Sequence, residues 1–141
     1  MQNHISITTP LHHYIEVDPD YYDAYELYTP DTETLAQLRS LLPAAHIITP
    51  SRYSCSDCAR NIPQMTRIAE HLPGWTWEIF DSDSNEERKA RLGITCIPTF
   101  IVYDPDGREI GRIEENPATG SLEHDLLIIA RRYAERQSPA G

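Results

Sequence analysis

Two cysteines stand three residues apart in the segment RYSCSDCARNIPQM, residues 52–65. They are Cys55 and Cys58, and an acid, Asp57, lies between them. A cysteine thiolate is both the nucleophile of disulfide exchange and a soft metal ligand. The spacing alone therefore leaves three interpretations open: a redox couple, half of a metal site, or a thiol pair retained on a scaffold that now does something else.

The residues after the pair have the periodicity of an amphipathic helix. Apolar side chains recur at intervals of three or four, at Ile62, Met65, Ile68, Ala69 and Leu72. At the start of such a helix, unpaired backbone N–H groups and the helix dipole stabilise a thiolate. On the first turn the second sulfur is close enough to attack a mixed disulfide. This placement predicts Cys55 as the exposed nucleophile and Cys58 as the more buried resolving thiol.

The elements that must hold this helix alternate along the chain. Strands are predicted at residues 45–49, 75–80, 99–103 and 108–113, with a proline- and glycine-containing turn at 104–107. Helices are predicted after the N-cap pairs Asp18-Pro19 and Thr29-Pro30, from the cysteine pair to about Leu72, over 85–93 with Gly93 as its end, and over 121–136. The strand–helix–strand units predict parallel pairs, and the tight turn predicts an antiparallel pair. We therefore expect an α/β fold with a central mixed sheet of about four strands and helices on both faces.

Composition limits the compartments and the classes of partner that we expect for this protein. The 141 residues suit one domain, and no apolar run approaches the roughly 20 residues of a membrane span. The N-terminus lacks the basic start and apolar core of a secretory signal, so we expect a cytoplasmic protein. A formal charge of −10 argues against nucleic acid or membrane as a partner. The odd number of cysteines, three, argues against a structural disulfide framework.

Three features together resemble the thioredoxin superfamily. They are the Cys-Ser-Asp-Cys motif, Pro63 eight residues after the first cysteine, and the Ile97-Pro98-Thr99 segment about forty residues after the second. The resemblance covers about residues 32–136 and implies a thioredoxin-like three-layer α/β/α fold. It also implies a cis peptide bond before Pro98 that faces the motif, and roles for Ile97, Pro98 and Thr99 in binding the substrate backbone.

The residues around the motif depart from thioredoxin itself. Ser54, Ser56 and Asp57 replace its tryptophan, glycine and proline, and Tyr53 could supply part of the lost tryptophan surface. The buried acid that thioredoxin carries on the preceding strand falls at Thr49, which cannot act as a proton acceptor. The Cys-x-Asp-Cys pattern, with a long acidic and aromatic N-terminal extension, resembles a bacterial thioredoxin-like subfamily.

Two further residues are predicted to modulate the pair. The charge of Asp57 is expected to disfavour the Cys55 thiolate, because like charges repel, unless Arg52 or Arg60 offsets it. Cys96 lies two residues before the proline of the Ile-Pro-Thr segment, so its oxidation would modulate the active site. The simpler alternative is that Cys96 is a small, half-buried residue without a role.

The first 28 residues form an acidic, tyrosine-rich extension. They hold five of the eight tyrosines, and residues 1–38 include seven acids but neither lysine nor arginine. We assign residues 1–28 to an α-helical N-terminal extension, 29–137 to a thioredoxin-like domain and 138–141 to a disordered tail. We expect the extension to cover the sheet edge that thioredoxin covers with its first strand; gripping a partner or second subunit is the alternative.

A zinc site would require a fourth ligand at suitable spacing from the three cysteine sulfurs. Three sulfurs and a histidine could bind zinc, but none of the six histidines lies at ligand spacing, so we predict no metal and no cofactor.

We predict a thiol-disulfide oxidoreductase that acts as a protein disulfide reductase. Its partners would be a disulfide-containing protein or low-molecular-weight thiol substrate and an upstream reductant. The alternative is a thioredoxin-like protein-binding module whose cysteine pair is slow or idle.

Overall fold

A computed structural model describes residues 19–52 and 54–137 of the chain. The described elements are, in chain order, α1 (Pro19–Leu27), α2 (Thr32–Leu41), β1 (Ala45–Ser51), α3 (Ser56–Ala69), β2 (Trp75–Asp81), α4 (Glu86–Leu92), β3 (Thr99–Tyr103), β4 (Glu109–Glu114) and α5 (Leu122–Gln137). The strands form one sheet in the order β2–β1–β3–β4. β1 pairs in parallel with β2 and antiparallel with β3, and β3 pairs antiparallel with β4. The predicted mixed four-stranded sheet is confirmed.

The strand–helix–strand unit β2–α4–β3 was predicted to be parallel, and this prediction is wrong. β3 runs opposite to β1 and therefore opposite to β2. Residues 82–98, which include the seven-residue α4, leave β2 at the sheet edge where β1 and β2 end and enter β3 at that same edge. β3 therefore begins where β1 ends and runs in the opposite direction.

The helices lie on both faces of the sheet. α2, α3 and α5 contribute with Trp75 and Trp77 to one hydrophobic core. α4 lies on the opposite face, where Arg88 makes two hydrogen bonds to the Glu78 carboxylate, at 2.7 and 3.0 Å, and stacks over the Phe80 ring. These three layers agree with the predicted α/β architecture. None of the described helices is long and apolar enough to span a membrane.

The two tryptophans of β2 connect this core to the neighbouring elements. Both are buried, and their indole N–H groups are hydrogen-bonded, as buried indoles normally are. Trp75 donates to the Leu42 carbonyl at 2.8 Å and Trp77 donates to the Thr49 hydroxyl at 3.0 Å. The position of the acid in thioredoxin is therefore filled here by a hydroxyl that already accepts a hydrogen bond.

The ends of the helices follow local side-chain chemistry. Gly93 closes α4 in the left-handed conformation, with φ 68°, as predicted. The N-cap of α2 is Asp31 instead of the predicted Thr29, because its carboxylate accepts from two backbone N–H groups of the first turn. The Asp18 N-cap predicted for α1 lies outside the described residues.

α1, the described helix of the extension, packs along α3. Tyr21 of α1 is buried in the core, and Arg67 of α3 donates to the Tyr25 carbonyl at 2.7 Å while stacking over its ring. Just beyond α1, the Tyr28 hydroxyl donates to the buried Glu123 carboxylate of α5. This part of the extension thus covers a helix and not, as expected, a sheet edge; residues 1–18 lie outside the described residues.

Two adjacent tyrosines of α1 test whether the extension contributes to folding. Tyr21 is 1% exposed and Tyr22 is 49% exposed. We expect Tyr21→Ala to lower the free energy of unfolding by about 3–5 kcal/mol, because it leaves a large cavity in the core. Tyr22→Ala is the matched control and should change it by less than about 0.5 kcal/mol. Urea unfolding of the full chain measures both, and equal losses would contradict a core role for α1.

Candidate active site

Cys55 stands at the junction between β1 and α3. It is the N-cap of α3, with extended backbone angles of φ −84° and ψ 120°, and its sulfur accepts a hydrogen bond from the Cys58 backbone N–H at 3.2 Å. The sulfur therefore occupies the place of the side-chain oxygen that usually caps a helix. The residue is half-buried, so its sulfur can be reached from solvent. A thiolate here would gain from both the N–H group and the helix dipole.

Cys58 lies one turn further, in a different environment. Its side chain is completely buried. Burial, together with a hydrogen bond to Cys55, raises the pKa of the Cys58 thiol to about 12, although hydrogen bonds from the Arg52 backbone and the Ser51 side chain act in the opposite direction. Cys58 is consequently protonated at neutral pH. Cys55, Cys58 and Cys96 are all free thiols in this structure.

The segment before β3 faces the motif. The peptide bond between Ile97 and Pro98 is cis, as the resemblance implied. The Cys55 thiol lies 3.7 Å from the Ile97 carbonyl oxygen, to which it donates. Pro98 and Thr99 are buried, and the Thr99 hydroxyl donates to the Cys96 carbonyl at 2.6 Å. The structure thus brings Cys55 and the Ile-Pro-Thr segment together, because β3 starts where β1 ends.

Asp57 forms an ion pair with Arg60 one turn later on α3. The same guanidinium donates to the Asn116 side-chain oxygen at 2.8 Å. Arg52 instead pairs with Asp83 at 2.9 Å. Of the two arginines that the sequence offered as counter-charges for Asp57, the structure therefore selects Arg60.

Cys96 is half-buried in the loop that leads into β3. Its sulfur lies 3.8 Å from the Thr95 hydroxyl, which is at most a weak hydrogen bond. In residues 19–52 and 54–137, no three His, Cys, Asp or Glu side chains are grouped closely enough to hold a metal ion. Tyr53, which could replace part of the lost tryptophan surface, lies outside the described residues.

The extension helix α1 lines the motif, which the sequence did not predict. A groove of about 590 Å³ runs between α1 and the start of α3, and its walls include Asp20, Tyr21, Ala24, Ser54, Cys55, Ser56, Ala59 and Arg60. The available signal was the four-residue spacing of Tyr21 and Tyr25, which places them on one face of α1. A second residue that the sequence did not predict, Asn61, is buried just behind the motif.

Comparison with known proteins places the chain in a family. A family model described as thioredoxin matches residues 6–122. No curated protein matches the chain. Among solved structures, a Pseudomonas aeruginosa protein of unknown function is similar with a TM-score of 0.68, 15% identity and coverage of 89% of this chain and 87% of that one.

Two thioredoxins are similar in fold at lower scores. The thioredoxin of Trypanosoma brucei brucei has a TM-score of 0.52 and 20% identity, over 76% of this chain and 88% of that one. Thioredoxin 1 of Thermosipho africanus has a TM-score of 0.51 and 24% identity, over 64% of this chain and 96% of that one. With the family match, the strand order and the geometry around the cysteine pair, the chain belongs to the thioredoxin family.

Proposed function

We propose that this protein is a thiol-disulfide oxidoreductase that reduces disulfides through Cys55 and Cys58. The family and the fold support this type of activity in general. The observation that carries the proposal is the position of the Cys55 sulfur, which caps α3, accepts the Cys58 N–H and faces the Ile97 carbonyl. The proposed nucleophile, Cys55, thus lies between the proposed resolving residue, Cys58, and the Ile97 backbone that would bind substrate.

The proposed reaction has two exchange steps. The Cys55 thiolate attacks one sulfur of a substrate disulfide; a bond forms between the two sulfurs, and the other substrate sulfur leaves as a thiolate. Cys58 then loses its proton to the leaving thiolate or to solvent and attacks the Cys55 sulfur, which releases the second substrate thiol. The protein is left with a Cys55–Cys58 disulfide, and an upstream dithiol reductant restores both thiols. Each turnover moves two electrons to the substrate.

The segment 97–99 is proposed to hold the substrate backbone beside the reacting sulfur. The Ile97 carbonyl already accepts a hydrogen bond from the Cys55 thiol, so a peptide bound along this segment would bring its disulfide to that sulfur. Pro98 and Thr99 of this segment are buried, and the Thr99 hydroxyl donates to the Cys96 carbonyl. Substrates would be a disulfide-containing protein or a low-molecular-weight disulfide. A reducing compartment such as the cytoplasm suits this direction of reaction.

Asp57 and Cys96 are proposed as modulators of the couple. The ion pair with Arg60 places a positive charge beside Asp57, so that the acid opposes a thiolate at Cys55 less than it would alone. Because the pair is partly exposed, its contribution is modest, about 1 kcal/mol or less. Cys96 is half-buried in the same loop as Pro98, where oxidation of its thiol would alter the surface that meets substrate.

One observation favours a second candidate, a thioredoxin-like binding module with a slow or idle couple. Thr49 accepts the Trp77 N–H and offers no carboxylate to take the Cys58 proton, while burial holds that proton firmly. The two candidates differ in whether Cys55 forms a mixed disulfide and whether Cys58 resolves it.

Trapping the mixed disulfide separates these candidates. We expect Cys58→Ser, in a Cys96→Ser background, to accumulate a covalent adduct with a synthetic peptide dimer joined by one interchain disulfide, because the resolving thiol is gone and the released peptide thiol diffuses away. Intact-mass spectrometry should show one peptide per protein, and the adduct should dissociate with dithiothreitol. The matched control, Cys55→Ser in the same background, should form none. If the Cys58→Ser variant also forms none, the couple is idle and the binding module is the better account.

The buried thiol predicts the pH dependence of Cys58 reactivity. In a Cys55→Ser, Cys96→Ser variant, the rate of Cys58 alkylation by iodoacetamide should rise about tenfold per pH unit between about pH 7 and 9.5, because burial favours the neutral thiol and only the thiolate reacts. The control with Cys55 as its single cysteine should react faster at pH 8, because Cys55 is less buried than Cys58. A plateau of the Cys58 rate below pH 9 would contradict a buried, protonated thiol.

A further inference from the structure

The proposed reaction requires a set distance between Cys55 and the segment 97–99, and a polar network joins the elements that carry them. We propose that Asn61 is a positioning residue that holds this segment in register with α3. The inference rests on the proposed oxidoreductase function and adds a residue that touches neither the sulfurs nor the substrate segment.

Asn61 is a polar residue in a buried place. It is 2% exposed, and its neighbours on α3, Ile62 and Pro63, are buried as well. Its side-chain nitrogen lies within hydrogen-bond distance of three oxygens, which share its two N–H groups: Asp57 O at 2.9 Å, Glu115 O at 3.1 Å and Asn116 Oδ1 at 3.1 Å. Burying an amide costs free energy unless it is hydrogen-bonded. The asparagine is therefore held here by its bonds to the first turn of α3 and to the loop after β4.

Glu115 extends this connection to the substrate segment. Its backbone N–H donates to the Pro98 carbonyl at 2.7 Å, while its own carbonyl accepts from Asn61. Its φ is +68°, a region that residues other than glycine seldom adopt. The hydrogen bonds on both sides of Glu115 are what hold the residue in this conformation. A continuous path thus runs from Asp57 through Asn61 and Glu115 to Pro98.

Arg60 provides a second, exposed link between the same elements. It pairs with Asp57 and donates to the Asn116 side chain at 2.8 Å. Water can compete for that guanidinium, which is half-exposed, but it cannot readily reach the Asn61 amide. Asn61 is therefore the member of the network that holds the loop when the surface link opens.

Loss of Asn61 should slow the reaction with a peptide disulfide but not the reaction with a small reagent. Without its amide, the Glu115 carbonyl loses its buried donor and the Pro98 segment loses its tie to α3. The hydrogen bond from Cys58 N–H to the Cys55 sulfur involves neither group and should persist. A peptide disulfide that lies along the segment should therefore react more slowly, whereas a small reagent that meets only the sulfur should not.

The test compares Asn61→Leu with the wild-type full chain, using dithiothreitol as the reductant. We expect kcat/KM for a peptide with one intrachain disulfide to fall about tenfold, equivalent to about 1.4 kcal/mol. Rate constants of the reduced protein with 5,5′-dithiobis(2-nitrobenzoate) and iodoacetamide should stay within about twofold. Asn61→Ser should show the same combination of a lower kcat/KM for the peptide and unchanged rate constants for the two small reagents. The test therefore does not depend on the folding of one variant.

Thr66→Val is the matched control. Thr66 is 3% exposed on the same helix and donates to the Ile62 carbonyl at 2.9 Å, outside the network, so all three rates should be kept. The proposal is overturned if the Asn61 variants keep wild-type activity on the peptide, lose all three rates together, or lose no more than Thr66→Val. If wild-type protein reduces neither disulfide, the proposed function itself fails, and the inference fails with it.

Discussion

The direction of β3 is the constraint on which the rest of the site depends. Because β3 runs antiparallel to β1, its first residue lies at the same sheet edge as the last residue of β1. The chain leaves β1 into the cysteine motif and enters β3 from the Ile-Pro-Thr segment. If β3 were parallel to β1, Pro98 and Cys55 would lie at opposite edges, about 16–23 Å apart for strands of five to seven residues. The contact between the Cys55 sulfur and Ile97 exists because the chain enters β3 at the edge where β1 ends.

Within the site, burial gives two chemically identical side chains different environments. The sulfur of Cys55 caps α3, and the residue is half-buried. Cys58 is completely buried, and the rise of its pKa from 9.0 to about 12 corresponds to roughly 4 kcal/mol against the thiolate. In the proposed reaction, this difference would assign attack to Cys55 and resolution to Cys58. The loss of the Cys58 proton would be the demanding step of that reaction, since Thr49 offers no carboxylate.

Much of this architecture was predictable from local sequence patterns, whereas the rest depends on tertiary contacts. The α3 stripe, the β2 alternation through Trp75 and Trp77, and the Gly93 cap were predictable because each follows from residues within one element. The direction of β3 was not, because it is decided by pairing with β1, a strand distant in the sequence. Asn61 could not be recognised either, since its acceptors on Glu115 and Asn116 lie more than fifty residues away. The spacing of Tyr21 and Tyr25 indicated a shared helix face, but the burial of Tyr21 beside α3 depends on tertiary packing.

The most direct test of the central claim is a redox titration of the Cys96→Ser protein. The protein would be equilibrated in dithiothreitol buffers of graded ratio, and its free thiols alkylated and counted by mass spectrometry. The account predicts that Cys55 and Cys58 convert together in one reversible two-electron transition, with the disulfide between them. Thiols that stay free across the whole range, or a disulfide that forms only between molecules, would contradict it.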